Sequence, residues 1–198
     1  MLDANQLLGE AKKITGLSFL GNPLFEEGFN KLVYSINNEA DLNDIGIQAQ
    51  HHRLIGVLSN MLRIEDAVIN HPEILNEQIV APIVIVGLPR TGSTMTHRLL
   101  AADPRHTAML WWEGRYPAML PNEERGNPSE RMDLGKAEVD AVVAASPEAL
   151  TIHPWDYKGA DEEILLLEHT FFSTVPESFM RLPSYSSWVE DQDHIHAY

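Results

Sequence analysis

The sequence predicts an α/β protein in which this chain is predominantly helical and holds only an incomplete part of the sheet. Apolar residues recur at helical spacing through the first eighty residues, and one β-branched run follows them. A glycine-rich loop then joins this run to further helical sequence. A parallel strand needs neighbours on both edges, and later strands are not evident. We therefore expect the 198 residues to be the front part of a longer protein.

Residues 1–78 are predicted to form a helical N-terminal region. Asp3 can cap a first helix that runs to Thr15 and ends at Gly16. Asn22 and Pro23 then provide a cap and a first-turn proline for a second helix. The apolar face of this second helix consists of Phe25, Phe29, Leu32, Val33 and Ile36.

A third helix is predicted from about Ile45 to Asn70, and Pro72 ends it. Its stripe of apolar side chains is typical of a helix that packs into a core. The stripe consists of Leu54, Val57, Leu58, Met61 and Leu62.

Residues 79–198 are predicted to begin the α/β domain with a strand, a loop and a helix. The run Ile79–Val86 is short, uncharged and rich in β-branched residues, as in a strand buried on both faces. Pro82 is compatible with such a strand only near its start. Gly87–Thr94 is the turn, and Thr94–Ala102 has helical spacing again.

The remaining sequence predicts more helix than strand. Thr107–Glu113 is compatible with a second short strand or with a turn, and residues 118–128 form a loop. A helix is expected over Ser129–Ala145, with Ser129 as its cap, and a last helical segment from Pro183. Another is expected over Gly159–Ser173, and its first turn would hold Asp161, Glu162 and Glu163, where the helix dipole favours negative charge.

The composition excludes several classes of protein. With 14 basic and 29 acidic residues the net charge is −15, which disfavours nucleic acid as a partner. The absence of cysteine excludes disulfides, thiolate zinc sites and cysteine nucleophiles. The N-terminus lacks the pattern of a signal peptide, and no apolar run has the length of a membrane span. We therefore expect a cytoplasmic protein.

The loop Gly87–Thr94 is the stretch that indicates chemistry. Its two glycines have the spacing of a Walker A phosphate loop, but Ser93 stands where that motif has lysine. The amides of Gly92, Ser93 and Thr94 would point from a helix N-terminus at a phosphate. Arg90 adds a cationic fork, and Thr91 adds a hydroxyl group, as do Ser93 and Thr94.

The same stretch argues against a metal ion. Without the lysine and its following hydroxyl, the loop has no assigned contact to a γ-phosphate and no standard magnesium ligand. No apolar run that ends in aspartate follows it. The loop is therefore predicted to bind a phosphate-bearing nucleotide, with no metal site.

The segment Pro82–Thr94 and its continuation His97–Arg105 resemble the opening of bacterial sulfotransferase-family proteins. The resemblance implies a P-loop NTPase-like sulfotransferase fold. It also implies that the loop Pro89–Thr94 binds the 5′-phosphosulfate of 3′-phosphoadenosine 5′-phosphosulfate as co-substrate. Family members bind the 3′-phosphate with a later Arg and Ser, which no region of this chain matches. The resemblance extends to the segments Arg63–Asp66, His71–Ile74, Leu110–Glu113, Ile152–Pro154 and Gly159–Glu163.

The resemblance implies transfer of a sulfuryl group to a hydroxyl of a small-molecule acceptor. Arg90 would stabilise the leaving phosphate electrostatically. Two residues are candidates for the general base. Glu113 lies beside two tryptophans, where desolvation could raise its pKa into the range of a general base. His153 lies well downstream of the loop, where other sulfotransferases use a histidine. The sequence does not decide between Glu113 and His153 as the general base.

Two other functions are compatible with the sequence. A P-loop nucleotide kinase or NTPase would need magnesium and ATP, and Ser93 in the lysine position argues against it. A non-catalytic remnant that acts as a helical interaction module would keep the loop without the rest of the fold. Nucleotide binding distinguishes these alternatives.

Overall fold

The computed structural model of the chain describes residues 1–18, 24–88 and 90–193. Within these ranges the regular structure is helical, and the sole strand-like pairing is one antiparallel bridge between Leu110 and Ala160. No helix of the described ranges is both long and apolar enough to cross a bilayer. Short 3₁₀ turns cover Pro72–Asn76, Glu168–Thr170 and Val175–Ser178. The helices are α1 (Ala4–Thr15), α2 (Leu24–Glu39), α3 (Asp44–Asn70), α4 (Ser93–Ala101), α5 (Trp111–Arg115), α6 (Ser129–Ala145), α7 (Ala149–Ile152), α8 (Ile164–Leu167) and α9 (Pro183–Glu190).

The chain divides into two compact units. The first comprises Met1–Asn70 together with the stretch that starts at Ile164, and the second comprises His71–Glu163. The predicted domain boundary at residue 78 stays a prediction. The first unit takes in the late stretch of the chain because apolar side chains of α9 pack into its core. The chain thus leaves the first unit after α3 and returns to it with α8.

Local sequence signals explain the ends of α1. The Asp3 side chain accepts a hydrogen bond of 2.8 Å from the Gln6 amide, and Gly16 closes the helix with a φ of 71°. This left-handed conformation is the reason that glycine suits the position. The predicted cap and proline of α2, Asn22 and Pro23, lie outside the described residues. Helix α3 ends at Asn70 as predicted.

The core of the first unit combines the predicted stripes of α2 and α3 with buried residues of α1 and with residues near the end of the chain. Tyr185 lies at its centre, fully buried, and its hydroxyl is 2.9 Å from the Phe171 carbonyl and 3.0 Å from that of Ser173. Phe171 packs on Phe29 with ring centroids 5.0 Å apart. The buried apolar members from α2 and α3 are Phe25, Phe29, Leu32, Val33, Ile36, Leu54, Ile55, Val57, Leu58 and Leu62.

The second unit packs α5 against α6. Trp112 is buried, and Gly135 of α6 approaches it so closely that a Cβ there would be 2.8 Å from the Trp112 Cβ. The Arg131 guanidinium group lies over the Trp112 ring, 5.0 Å from its centroid, and forms an ion pair of 2.8 Å with Glu123. These contacts fix the helix that follows the bridge at Leu110.

The predicted strand Ile79–Val86 is absent from the structure. The segment has no regular structure, and most of its apolar side chains are exposed, with Val86 at 89%. The prediction was wrong for this chain because a parallel strand is stabilised by neighbours on both edges. Within the described ranges no strand is available to pair with it.

Three further predictions need correction. Thr107–Glu113 forms one bridge residue and then the start of α5, and Pro128 rather than Ser129 occupies the cap position of α6, without a side-chain hydrogen bond. The helix expected over Gly159–Ser173 is reduced to α8 and a 3₁₀ turn. It does not start at Gly159 because the backbone of residues 159–161 bonds instead to Met109 and Trp111.

Candidate functional site

The N-terminus of α4 is the candidate anion site. Gly92 precedes the helix with a φ of 92°, which a residue with a Cβ rarely adopts. The first helical hydrogen bond runs from the Thr96 amide to the Gly92 carbonyl over 3.0 Å. The amides of Ser93, Thr94 and Met95 therefore have no acceptor within the helix. Amides in this position, at the positive end of the helix dipole, can bind an anion.

The loop before α4 is closed by its own atoms. The Thr91 hydroxyl donates to the Leu88 carbonyl over 2.6 Å, so it holds the turn. A Cβ at Gly87 would lie 3.0 Å from the same hydroxyl oxygen. Among the described residues, a Cβ at Gly92 would meet no atom within 4 Å, so none of them fills the space above this residue. The predicted ligand Pro89 lies outside the described residues.

Arg90 connects the loop to α7. Its backbone has a φ of 69°, and its guanidinium group donates to the carbonyl of Ile152, 62 residues later in the chain. Ile152 is the last residue of α7, and His153 follows it directly. The structure therefore brings together two of the predicted catalytic residues: Arg90 bonds to the backbone carbonyl of the residue that directly precedes His153.

His153 forms a partly buried pair with Asp161. The imidazole Nε2 is 2.9 Å from Oδ2 of the carboxylate, and the Asp161 side chain is only 6% exposed against 25% for His153. Trp155 packs against the imidazole nearly at right angles, with ring centroids 5.5 Å apart. The ring of His153 is thus held by a hydrogen bond on one side and by an aromatic ring on another.

Arg98 of α4 is the cation of this cluster. Its Nη2 lies 3.9 Å from Oδ2 of Asp161 and donates to the Pro154 carbonyl over 2.7 Å. Its Nε donates to the Ala160 carbonyl over 3.3 Å. One side chain therefore ties the helix that follows the loop to both ends of the segment 153–161.

Glu113 has a different role in the structure. Its Oε2 accepts a hydrogen bond of 2.8 Å from the Leu110 amide, which completes the N-terminal cap of α5. Leu110 forms the bridge with Ala160, and the Trp111 amide donates to the Gly159 carbonyl over 3.0 Å. The Glu113 carboxylate thus supports the segment beside Asp161.

Two carboxyl groups of this unit have lowered pKa values. Hydrogen bonds from the Arg105 side chain and backbone lower the pKa of Asp103, just after α4, to about 2. A hydrogen bond from the Ser146 hydroxyl lowers the pKa of Glu148, which caps α7. Both groups are therefore negatively charged at neutral pH.

The described parts of the chain contain no group of three His, Asp or Glu side chains that could hold a metal ion.

The sequence reasoning missed two residues of this arrangement. The first is Arg98, and the signal for it is an arginine one helical turn after a phosphate-type loop. The second is Asp161, which the sequence predicts in the first turn of a helix, but α8 starts only at Ile164. Its carboxylate is turned inward because it pairs with His153 and Arg98, and neither contact is visible in local sequence.

Comparison with protein families matches residues 82–198 to a family described as the sulfotransferase family. Among solved structures, the chain is similar to the sulfotransferase STF1 from Mycobacterium tuberculosis H37Rv, with 29% identity and a TM-score of 0.82. It is also similar to the sulfotransferase STF9 from Mycobacterium avium, with 24% identity and a TM-score of 0.82. No protein of curated function matches the chain.

Both structural matches cover 100% of this chain. They cover 55% of the STF1 chain and 51% of the STF9 chain, so this chain spans about half the length of the structures that it matches. The likeness confirms that the chain has a sulfotransferase fold.

Proposed function

Since the chain belongs to the sulfotransferase family, we propose that it transfers a sulfuryl group to a hydroxyl of a small-molecule acceptor. The proposed donor is 3′-phosphoadenosine 5′-phosphosulfate. The family match and the 29% identity to STF1 support the reaction class. The donor and the acceptor class are what the family resemblance implies, and the residue roles are argued from the site geometry and from chemistry.

One observation carries the proposal: the Arg90 guanidinium group donates to the carbonyl that immediately precedes His153. Sulfuryl transfer needs a cation where charge develops on the leaving phosphate and a base where the acceptor loses its proton. A cation from the glycine-rich loop and an imidazole are here linked through Ile152. This arrangement supports Arg90 and His153 in the two roles.

The loop fits an anionic donor. The first-turn amides of α4 lack helical acceptors, and no described residue fills the space above Gly92. The side chains of Ser93 and Thr94 are half-buried in the same turn and supply two hydroxyl donors. We propose that these groups, with Arg90 and the predicted ligands Pro89 and Thr91, hold the 5′-phosphosulfate.

We propose His153 rather than Glu113 as the general base. Glu113 already accepts a hydrogen bond from the Leu110 amide, and that bond stabilises the start of α5. The acceptor oxygen would attack sulfur while its proton passes to His153. The bond between sulfur and the bridging phosphate oxygen would break, and adenosine 3′,5′-bisphosphate would leave with that electron pair.

Calorimetric titration tests the donor site. We expect the protein to bind adenosine 3′,5′-bisphosphate without magnesium, and an Arg90→Ala variant to bind it at least ~10-fold more weakly, since charge-assisted hydrogen bonds contribute about 1.5–3 kcal/mol. Arg125→Ala is the matched control, because Arg125 is an exposed arginine of the same unit outside the loop. Its affinity should equal that of the unmodified protein.

Two results would contradict the proposal. Binding of ATP with magnesium, in preference to the bisphosphate, would favour a kinase or NTPase. Binding of neither nucleotide would favour the non-catalytic interaction module.

A further inference from the structure

The buried carboxylate of Asp161 has no part in the chemistry proposed so far. The residue is 5% exposed, and the described partners of its carboxylate belong to its own unit. Oδ2 faces Nε2 of His153 at 2.9 Å and Nη2 of Arg98 at 3.9 Å. Oδ1 accepts a hydrogen bond of 2.8 Å from the Glu162 amide. A carboxylate with this burial is costly unless its charge is compensated.

Arg98 supplies the compensation and fixes the geometry. Its guanidinium group donates to the carbonyls of Pro154 and Ala160, which flank the His153–Asp161 pair. The carboxylate is therefore held in place independently of the histidine. Asp161 therefore orients the His153 ring and not the reverse, since the described hydrogen bond of the ring is the one to Asp161.

The carboxylate determines which ring nitrogen carries the proton. An ionised carboxylate can only accept hydrogen bonds, so Nε2 of a neutral His153 must be the donor. Nδ1 then carries the lone pair. No described residue forms a hydrogen bond with Nδ1, and the Trp155 ring restrains the plane of the imidazole.

We propose that Asp161, held by Arg98, is a positioning residue that keeps His153 in the Nε2–H tautomer and so presents Nδ1 as the proton acceptor. The statement about catalysis rests on the proposed function, since it takes His153 as the general base. The statement about the tautomer does not. In the reaction, Nδ1 takes the proton of the substrate hydroxyl group, and the Asp161 carboxylate stabilises the resulting imidazolium.

Nitrogen NMR tests the tautomer without any substrate. Long-range ¹H–¹⁵N spectra of histidine-labelled protein at pH 8 report which ring nitrogen is protonated, and a His153→Gln variant identifies the signal. We expect Nε2–H for His153. We expect Asp161→Asn to lose this preference, because its amide can donate to Nε2. Glu162→Gln is the matched control, since Glu162 is the exposed neighbour, and it should leave the tautomer unchanged.

The wild-type spectrum decides the inference even if Asp161→Asn fails to fold. His153 protonated on Nδ1, or present as the mixture seen for an exposed histidine such as His52, would overturn it. An unchanged tautomer in a folded Asp161→Asn variant would do the same. The signal of His106, whose Nδ1 lies 2.9 Å from the Leu100 carbonyl in the same unit, reports whether the variant is folded.

A kinetic measurement separates this inference from the proposed function. We expect Asp161→Asn to lower kcat by about 100-fold or more while the KM for the donor changes little, because only the proton transfer is impaired. A fixed Nε2–H tautomer in a protein without sulfuryl transfer would refute the proposed function alone. Sulfuryl transfer in a protein whose His153 has no tautomer preference would refute the positioning role alone.

Discussion

Gly159 lies against the guanidinium group of Arg98 so closely that a side-chain carbon would not fit. A Cβ at this position would be 2.6 Å from Nη2 and 2.9 Å from Cζ. A free arginine could move aside, but this one is held by two backbone carbonyls and the Asp161 carboxylate. The glycine is therefore part of the arrangement that places Asp161 beside His153.

We expect Gly159→Ala to destabilise the second unit by about 1–3 kcal/mol, because the displaced guanidinium group loses charge-assisted hydrogen bonds. Urea unfolding measures this difference. The matched control is a double-mutant cycle with Arg98→Ala. Gly159→Ala should cost little in the Arg98→Ala background, and an equal cost in both backgrounds would show that the two residues are independent.

Two glycines of the first unit predict opposite effects for one substitution. A Cβ at Gly28 of α2 would be 2.7 Å from the Phe171 carbonyl, whereas a Cβ at Gly56 of α3 would meet no atom of the described residues within 4 Å. We expect Gly28→Ala to destabilise by about 1–3 kcal/mol through overpacking. We expect Gly56→Ala to stabilise by about 0.5–1 kcal/mol, since alanine favours the helix. Urea unfolding of both variants checks the signs, and the same sign for both would contradict the packing described.

The role of Glu113 predicts a separation of stability from catalysis. Glu113→Ala removes the acceptor for the Leu110 amide, so we expect a loss of about 0.5–2 kcal/mol, as for other helix caps. Glu113→Gln keeps an acceptor oxygen and should change neither stability nor kcat by more than a few-fold. His153→Gln should lower kcat by ~10²–10⁴-fold. A large loss of kcat in a stable Glu113→Gln variant would instead identify Glu113 as the base.

Tyr185 predicts a loss of stability at alkaline pH. Burial raises the pKa of its phenol above the ordinary value of about 10. The folded state therefore binds this proton more tightly than the unfolded state, and the stabilisation is fully present below pH 10. It is lost as the pH rises from about 10 towards the higher folded pKa.

Urea unfolding between pH 8 and 11 measures this effect. Tyr185→Phe should be less stable than the wild type at pH 8, because the carbonyls of Phe171 and Ser173 lose their donor. Its stability should fall less steeply above pH 10. Parallel curves for both proteins would mean that Tyr185 does not carry the alkaline effect.

The helices could be predicted where their determinants are local. Asp3 and Gly16 flank α1, and apolar stripes mark α2 and α3, so spacing and caps suffice. The strand at Ile79–Val86 could not be predicted correctly, because strand formation depends on partners distant in sequence. The sequence therefore shows that such a segment has the composition of a strand, but not whether it is paired into a sheet.

The site was only partly predictable for the same reason. The glycine-rich loop is a local pattern, and residues 93–101 form the helix expected after it. The pair of His153 with Asp161 and the bond from Arg98 to Ala160 join residues that are 8 and 62 positions apart. Such contacts follow from the tertiary fold, and no periodicity in the sequence reports them.

The contact between Arg90 and Ile152 has a consequence for ionic strength. The guanidinium group rests on a neutral carbonyl, and in the described ranges no carboxylate pairs with it, so its full charge is retained within a chain of net charge −15. A nucleotide anion would then be repelled from afar and attracted only at close range. At 0.1 M salt, interactions between charges that are more than about 10 Å apart are largely screened. Moderate salt would therefore speed the arrival of the nucleotide, the reverse of what an electropositive surface does.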